Sequence, residues 1–279
     1  MLKPAIQLND VHVLYGHILA LDIEELSIDA GERVFILGRS AAGKSTLSRL
    51  IKGRIRSTTG IVSVLDFNPA NGSAYRRRAH QRRIAMIDQE FFLIPRLSVI
   101  ENILTGCLGR VSPARSLIGW YPQEEWDKAQ SIMCEVDLEG LDDRRVEDLS
   151  GGQRQRTAIG RALMQEAEII LADEPISNLD PELAEDALEL LVECVRRRGV
   201  TLGVNLHQPS LAVKFASRII GLADGKVVYD GSPEGFTETE TGKLYSGKKP
   251  MIVEDSTHDK VQTEMEKENC PPDLRVLSG

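Results

Sequence analysis

The chain lacks the features that would place it in an oxidising or lipid environment. It carries 4 cysteines in 279 residues, at Cys107, Cys134, Cys194 and Cys270, with no CxxC spacing among them. That scatter argues against a disulfide framework or a zinc site and points to a reducing cytoplasm. No stretch approaches the roughly 18 consecutive apolar residues that span a bilayer, so any role at a membrane is expected to come through a partner. The opening run MLKPAIQLND lacks the charged-then-apolar order of a secretion signal. Positive charge is also in short supply, with 34 Lys plus Arg against 42 Asp plus Glu and a formal charge of −8. Nucleic-acid binding draws on a concentrated basic face, so nucleic acid is not expected as a partner. One basic run, RRRAHQRR at residues 76–83, departs from that trend. A solvated face, or contact with acidic partner surfaces, accounts for it better than a nucleic acid does.

What is present reads as an α/β chain. The runs AIQLNDVHVLYG, LDIEELSI and GERVFILG alternate as strands with turns, and GIVSVLDF and RRIAMIDQ add two more. From about Phe91 to Leu163 the pattern becomes mainly helical. AEIILADEP and VTLGVNLH then read as buried strands separated by the amphipathic stretch PELAEDALELLVECVRRRG. Continuous apolar strands alternating with helices predict a parallel sheet covered on both faces. Asp224-Gly225 predicts a tight turn between two further strands. Beyond about residue 236 the composition turns to Glu, Lys, Ser and Thr, so residues 237–279 are expected to form a flexible tail and residues 1–236 the folded unit.

Gly38-Arg39-Ser40-Ala41-Ala42-Gly43-Lys44-Ser45-Thr46 follows the strand RVFIL and leads into the helix STLSRLI. This is the P-loop pattern. Glycines let consecutive backbone N–H groups curl into an anion nest, and the next helix aims its positive end at the same point. Lys44 can reach terminal phosphates, and the Ser45 hydroxyl can ligate Mg²⁺. A near-copy at residues 242–249 ends in Lys249, has no strand before it and is followed by Pro250, so it reads as a decoy.

Asp173 and Glu174 close the strand AEIILADEP. The carboxyl ends of parallel strands face the ligand crevice. Asp173 is therefore placed to hold Mg²⁺ through water, and Glu174 to orient and deprotonate an attacking water. His207 closes VTLGVNL in the same way, where an imidazole N–H can stabilise charge on a transferring phosphoryl group. Gln89 follows IAMID and is readable equally as a contact to Mg²⁺ and water or as a solvent-facing residue. LSGGQRQR, with Ser150, Gly151, Gly152 and Gln153, supplies a second anion-binding helix start far from the first. One phosphate chain has little use for two such sites in one molecule. A head-to-tail pair of chains has a direct use for them, sandwiching each nucleotide between one P-loop and the partner's second site.

Together these residues resemble the ATP-binding subunits of ABC transporters over roughly residues 5–235. The resemblance implies a RecA-like P-loop NTPase core, an antiparallel β part near the N-terminus and an inserted helical subdomain at about residues 91–163. It implies ATP and Mg²⁺ as cofactors and a transport-coupled ATPase. It also implies that Tyr15 stacks on adenine, that Gln89 is the Q-loop glutamine and that LSGGQ is the signature. Glu174 is then the catalytic base, Asp180 in SNLD the D-loop aspartate and His207 the switch histidine. The implied partners are a second copy of the chain, integral-membrane permease subunits met by the segment EFFLIPRLSVIENIL, and indirectly a substrate-binding protein. The implied location is the cytoplasmic face of the membrane. Core packing explains Phe91, Phe92 and Leu93 nearly as well as permease docking.

The stretches VIENILTGCLGR, RSLIGW and LHQPSLAVKFASRIIGLADGKVVYDG resemble more narrowly the phosphonate-type importer ATPases, which handle phosphonates, phosphite and related oxyanions. Two other readings compete: a soluble ABC-type ATPase acting on ribosomes or DNA, and a regulatory module that binds ATP without turnover. A single credible P-loop, the absence of a long heptad run and the acidic balance weigh against the first. The presence of both Glu174 and His207 weighs against the second.

Overall fold

Alternating burial builds the first sheet. Pro4–Tyr15 (β1) and Ile18–Asp29 (β2) pair antiparallel, and Leu8, Val11 and Val13 face inward on β1 while Gln7 and Asn9 face out. The step from Leu8 to Val11 breaks the two-residue period, and the backbone absorbs it at Asp10, where φ is 49 and the pairing register shifts. A bulge of this kind keeps both halves of a long strand apolar on the same face. The structure, a computed structural model, describes residues 3–69, 72–112, 119–177 and 179–245. The tail beyond residue 245, most of the stretch RSLIGW and half of the near-copy at 242–249 lie outside those described residues.

Arg33–Leu37 (β3) leads through the glycine-rich loop into Lys44–Ile51 (α1). Thr59–Val64 (β4) returns to the first sheet, giving the order β2-β1-β4. The strand expected over residues 60–67 ends at Val64, because Leu65 and Asp66 turn with φ of 51 and 61. Ala74–Arg82 (α2) and Ile84–Ile87 (β5) precede a helical section of Val99–Leu104 (α3), Gln123–Glu135 (α4) and Gly151–Met164 (α5). Ile169–Asp173 (β6), Pro181–Arg198 (α6), Thr201–Leu206 (β7) and Pro209–Phe215 (α7) follow. Arg218–Ala223 (β8) and Lys226–Gly231 (β9) form a hairpin at Asp224-Gly225, and Glu238–Tyr245 (α8) is the last described helix.

The second sheet has the order β5-β6-β7-β3-β8-β9, with every pairing parallel except the final hairpin. Both faces of its parallel strands are buried, which is why those strands are apolar at consecutive positions. Phe35 and Leu37 point into the core shared with α3, α5 and α6, whereas Val34 and Ile36 point into the core shared with the first sheet and α1. Ile170 and Ala172 divide from Ile169 and Leu171 in the same manner. Each strand is thus held from two sides, and a slip by one residue would exchange the cores.

Helix ends are fixed by local side chains. Ser98 with Glu101 and Ser150 with Gln153 form reciprocal capping boxes at α3 and α5. Asp180 caps α6 ahead of Pro181, and three arginines meet the negative end of that helix before Gly199 stops it at φ 63.

Candidate nucleotide site

The loop between β3 and α1 curls because its residues permit left-handed backbone. Gly43 has φ 105, and a Cβ there would lie 2.7 Å from the Ala20 carbonyl oxygen, so glycine is required. Ala41 also adopts a positive φ, 65, despite its Cβ. No side chain caps the first turn of α1 and no acidic residue occupies it, leaving its amide donors and positive end available to an anion. Lys44 is buried, and its Nζ donates to the carbonyl oxygens of Gly38 at 2.7 Å and Arg39 at 3.1 Å. Burial pulls its pKa down from the usual lysine value, and the carboxylates of Glu174 and Asp173 pull it back up. The lysine is therefore held in a low-dielectric pocket where the attraction of a phosphate for its charge is strong.

Sheet register brings the other groups to the same edge. Leu37 pairs with Leu206, and Asp173 pairs with Asn205. Ser45 Oγ donates to Asp173 Oδ1 at 3.1 Å. His207, one residue past β7, has Nε2 at 2.5 Å from Glu174 Oε1 and Nδ1 at 3.5 Å from Lys44 Nζ. A neutral imidazole protonated on Nε2 satisfies both contacts, donating to the carboxylate and accepting from the ammonium. Glu174, expected to follow a straight strand end, is turned out by a left-handed backbone at φ 51, and its N–H donates to Asn205 O at 3.1 Å.

Asn205 was not singled out by the sequence pattern. It is fully buried, and its Nδ2 donates to Asp173 Oδ1 at 2.7 Å and to Ser48 Oγ at 3.0 Å. Its signal was present: an amide inside the otherwise apolar run VTLGVNL must find polar partners. By gripping one oxygen of Asp173 it orients the carboxylate that also meets Ser45.

A cleft of about 400 Å³ collects Tyr15, Ile18, Ser40 to Thr46, Glu174 and the Asp224-Gly225 turn. Tyr15 is 46% exposed at its rim, an open ring available for stacking on a base. Among the described residues no group of three His, Cys, Asp or Glu side chains could hold a metal. Ser45 and Asp173 offer two hard oxygen donors, which suits Mg²⁺, an ion that completes its octahedron with waters and substrate phosphates. The other predicted residues stand elsewhere. Gln89 and Gly151 line a separate cleft of about 430 Å³ with Phe91, Leu93, Arg154 and Leu179. Ser150 and Gln153 are engaged in the cap of α5, and Asp180 Oδ1 accepts from Leu183 N at 3.1 Å. The chain by itself gathers the loop, the two carboxylates, His207 and Tyr15, and leaves the signature on a different face.

Comparison with known proteins gives the same architecture. Residues 21–177 match the family model described as ABC transporter. A phosphonates import ATP-binding protein of Rhodopseudomonas palustris is 38% identical, over 92% of this chain and 92% of its own. One from Nitratidesulfovibrio vulgaris is 42% identical, over 76% of this chain and 80% of its own. A dimeric ATP-binding cassette solved in a post-hydrolysis state with ADP and Pi superposes with a TM-score of 0.70 at 31% identity, covering 83% of this chain and all of the other.

Ala41 yields a first prediction. A left-handed non-glycine residue costs about 1–2 kcal/mol, and a glycine in its place gives back about 0.5–1 kcal/mol in chain entropy. Ala41→Gly is therefore expected to shift unfolding stability upward by no more than about 1.5 kcal/mol in a denaturant titration, with ATP affinity changed less than about tenfold. A larger gain in affinity would show that the alanine Cβ distorts the nest.

Proposed function

The chain belongs to the ABC transporter family, and from that premise we propose that it is the ATP-hydrolysing subunit of an importer for phosphonates or related phosphorus oxyanions. The observation that carries the enzymatic reading is the continuous contact from Glu174 through the His207 ring to Lys44. Lys44, now satisfied by two loop carbonyls, exchanges them for the terminal phosphates of ATP. Ser45 and Asp173 hold Mg²⁺, which when bound supplies charge neutralisation at the phosphate oxygens. Glu174 accepts the proton of the attacking water. His207 keeps its Nε2–H directed at the same point and stabilises the charge that develops there. Tyr15 stacks on adenine, and Gln89 would help to hold Mg²⁺ and the attacking water. The signature residues Ser150 to Gln153 and Asp180 act on the nucleotide of a second copy, since within one chain they lie apart from it. Dimeric cassettes of known structure support that pairing.

The membrane partner has a surface to meet. A cleft of about 640 Å³ beside Phe92 is lined by Lys52, Arg54, Arg78, Arg82 and Arg161 against a single carboxylate, Asp88. Phe92 itself is 63% exposed. This face fits an acidic, partly apolar segment of a permease on the cytoplasmic side of the membrane, which explains a basic run on a chain of net charge −8. Among the described residues no helix is long and apolar enough to cross a membrane. The phosphorus cargo follows from the relatives' names, because nothing in the nucleotide cleft touches cargo.

Glu174→Gln is expected to bind ATP, lose nearly all hydrolysis and accumulate as a nucleotide-bound dimer in size-exclusion chromatography. Undiminished phosphate release from that variant would overturn the assignment of the base. For cargo, deleting the gene is expected to abolish growth on phosphonate or phosphite as sole phosphorus source while sparing growth on phosphate; equal growth on all three refutes the phosphorus-import reading. Arg78→Glu with Arg82→Glu, both exposed on α2, is expected to leave the ATPase of the isolated cassette intact. Co-purification with the permease subunits should fall by tenfold or more, about 1.4 kcal/mol.

A further inference from the structure

The last described helix packs beside the site without lining the nucleotide cleft. Its residue Leu244 is fully buried against β8. A Cβ at Gly221 would lie 3.2 Å from Leu244 Cδ1 and 3.0 Å from Tyr229 Cβ, so the bare backbone of Gly221 is what lets α8 approach. One residue further on, the half-buried Tyr245 donates its Oη–H to the backbone carbonyl of His207 at 3.0 Å. Burial raises the phenol pKa above its ordinary value, so the hydroxyl remains a donor at neutral pH.

That carbonyl belongs to the residue whose ring bridges Glu174 and Lys44. His207 lies between the end of β7 at Leu206 and the start of α7 at Pro209, outside the strand ladder that fixes Asn205 and Leu206 to their neighbours. Gln208, the N-cap of α7, makes no side-chain capping bond. The hydroxyl of Tyr245 thus anchors a short connection through its backbone carbonyl.

We propose that Tyr245 is a positioning residue for ATP hydrolysis: its hydroxyl pins the His207 connection, and α8 is the latch that holds it in place. The latch acts on turnover. Its hydrogen bond goes to the backbone of His207, the residue whose ring meets Glu174. It rests on the role given to His207 above, and the experiment separates the two.

The test compares steady-state ATPase kinetics of the full-length chain, in the assembled transporter, with those of Tyr245→Phe and His207→Ala. Tyr245→Phe keeps the ring and removes one neutral hydrogen bond. It is expected to lower kcat by about three- to tenfold, with KM for ATP unchanged and the thermal unfolding midpoint lowered by no more than about a few degrees. A purely structural role would move the midpoint and spare kcat per folded molecule. His207→Ala is expected to abolish turnover. Full kcat in Tyr245→Phe with loss in His207→Ala overturns the latch alone. Full kcat in both overturns the role of His207 along with it. A rise in KM with kcat intact also overturns the latch, since it would place Tyr245 in nucleotide binding.

Discussion

Parallel pairing of β5, β6, β7, β3 and β8 is the constraint on which the rest of the molecule depends. Strands that run the same way end at the same edge, so the loop after β3, the carboxylates after β6 and the imidazole after β7 emerge side by side. The level at which they emerge is set by register, Leu37 against Leu206 and Asp173 against Asn205. Register in turn is set by the two cores. Phe35 and Leu37 belong to one, Val34 and Ile36 to the other, and a one-residue slip would place every one of them on the wrong side. Catalytic geometry is therefore a consequence of hydrophobic partition, fixed by residues that touch no nucleotide.

Backbone strain marks where the site departs from that regular frame. Ala41, Glu174, Phe91 and Phe92 all have positive φ, at 65, 51, 58 and 43. Each costs of order 1 kcal/mol or more and persists only because its surroundings over-determine it. For Glu174 the fixing contact is the Asn205 carbonyl, which turns the backbone so that the side chain reaches His207 instead of continuing along β6. For Phe91 and Phe92 it is Arg161 on α5, whose guanidinium donates to both of their carbonyl oxygens. The second case ties the segment after Gln89 to the helix that begins with the signature.

Residues with a local signature were legible in the sequence. The loop, the Asp224-Gly225 turn and the apolar strands all carry their cause within a few neighbouring positions. Asn205 and Ser48 did not stand out, because their role appears only when β7 is laid beside β6 and α1. Gln89 is a further case, because its strand β5 runs parallel to β6 at the rim of the sheet and the residue lines a cleft with Gly151, a neighbour that no local pattern names. The end of β4 at Val64 was also illegible, since Phe67 continues the apolar pattern while the backbone turns at Leu65 and Asp66.

The distribution of charge separates the site from the rest of the surface. In the proposed function Lys44, Ser45, Asp173, Glu174 and His207 meet phosphate, metal and water and no other subunit. Identity has to reside where another subunit is recognised. On a chain of net charge −8, α2 carries Arg76, Arg77, Arg78 and Arg82 and no acidic residue. Concentrating cations on one helix of an acidic protein focuses a field that attracts one class of surface and repels most others of the molecule's own kind. Such a code selects by repulsion as much as by attraction. In the proposed function, it commits the ATPase to one permease through residues outside the nucleotide cleft.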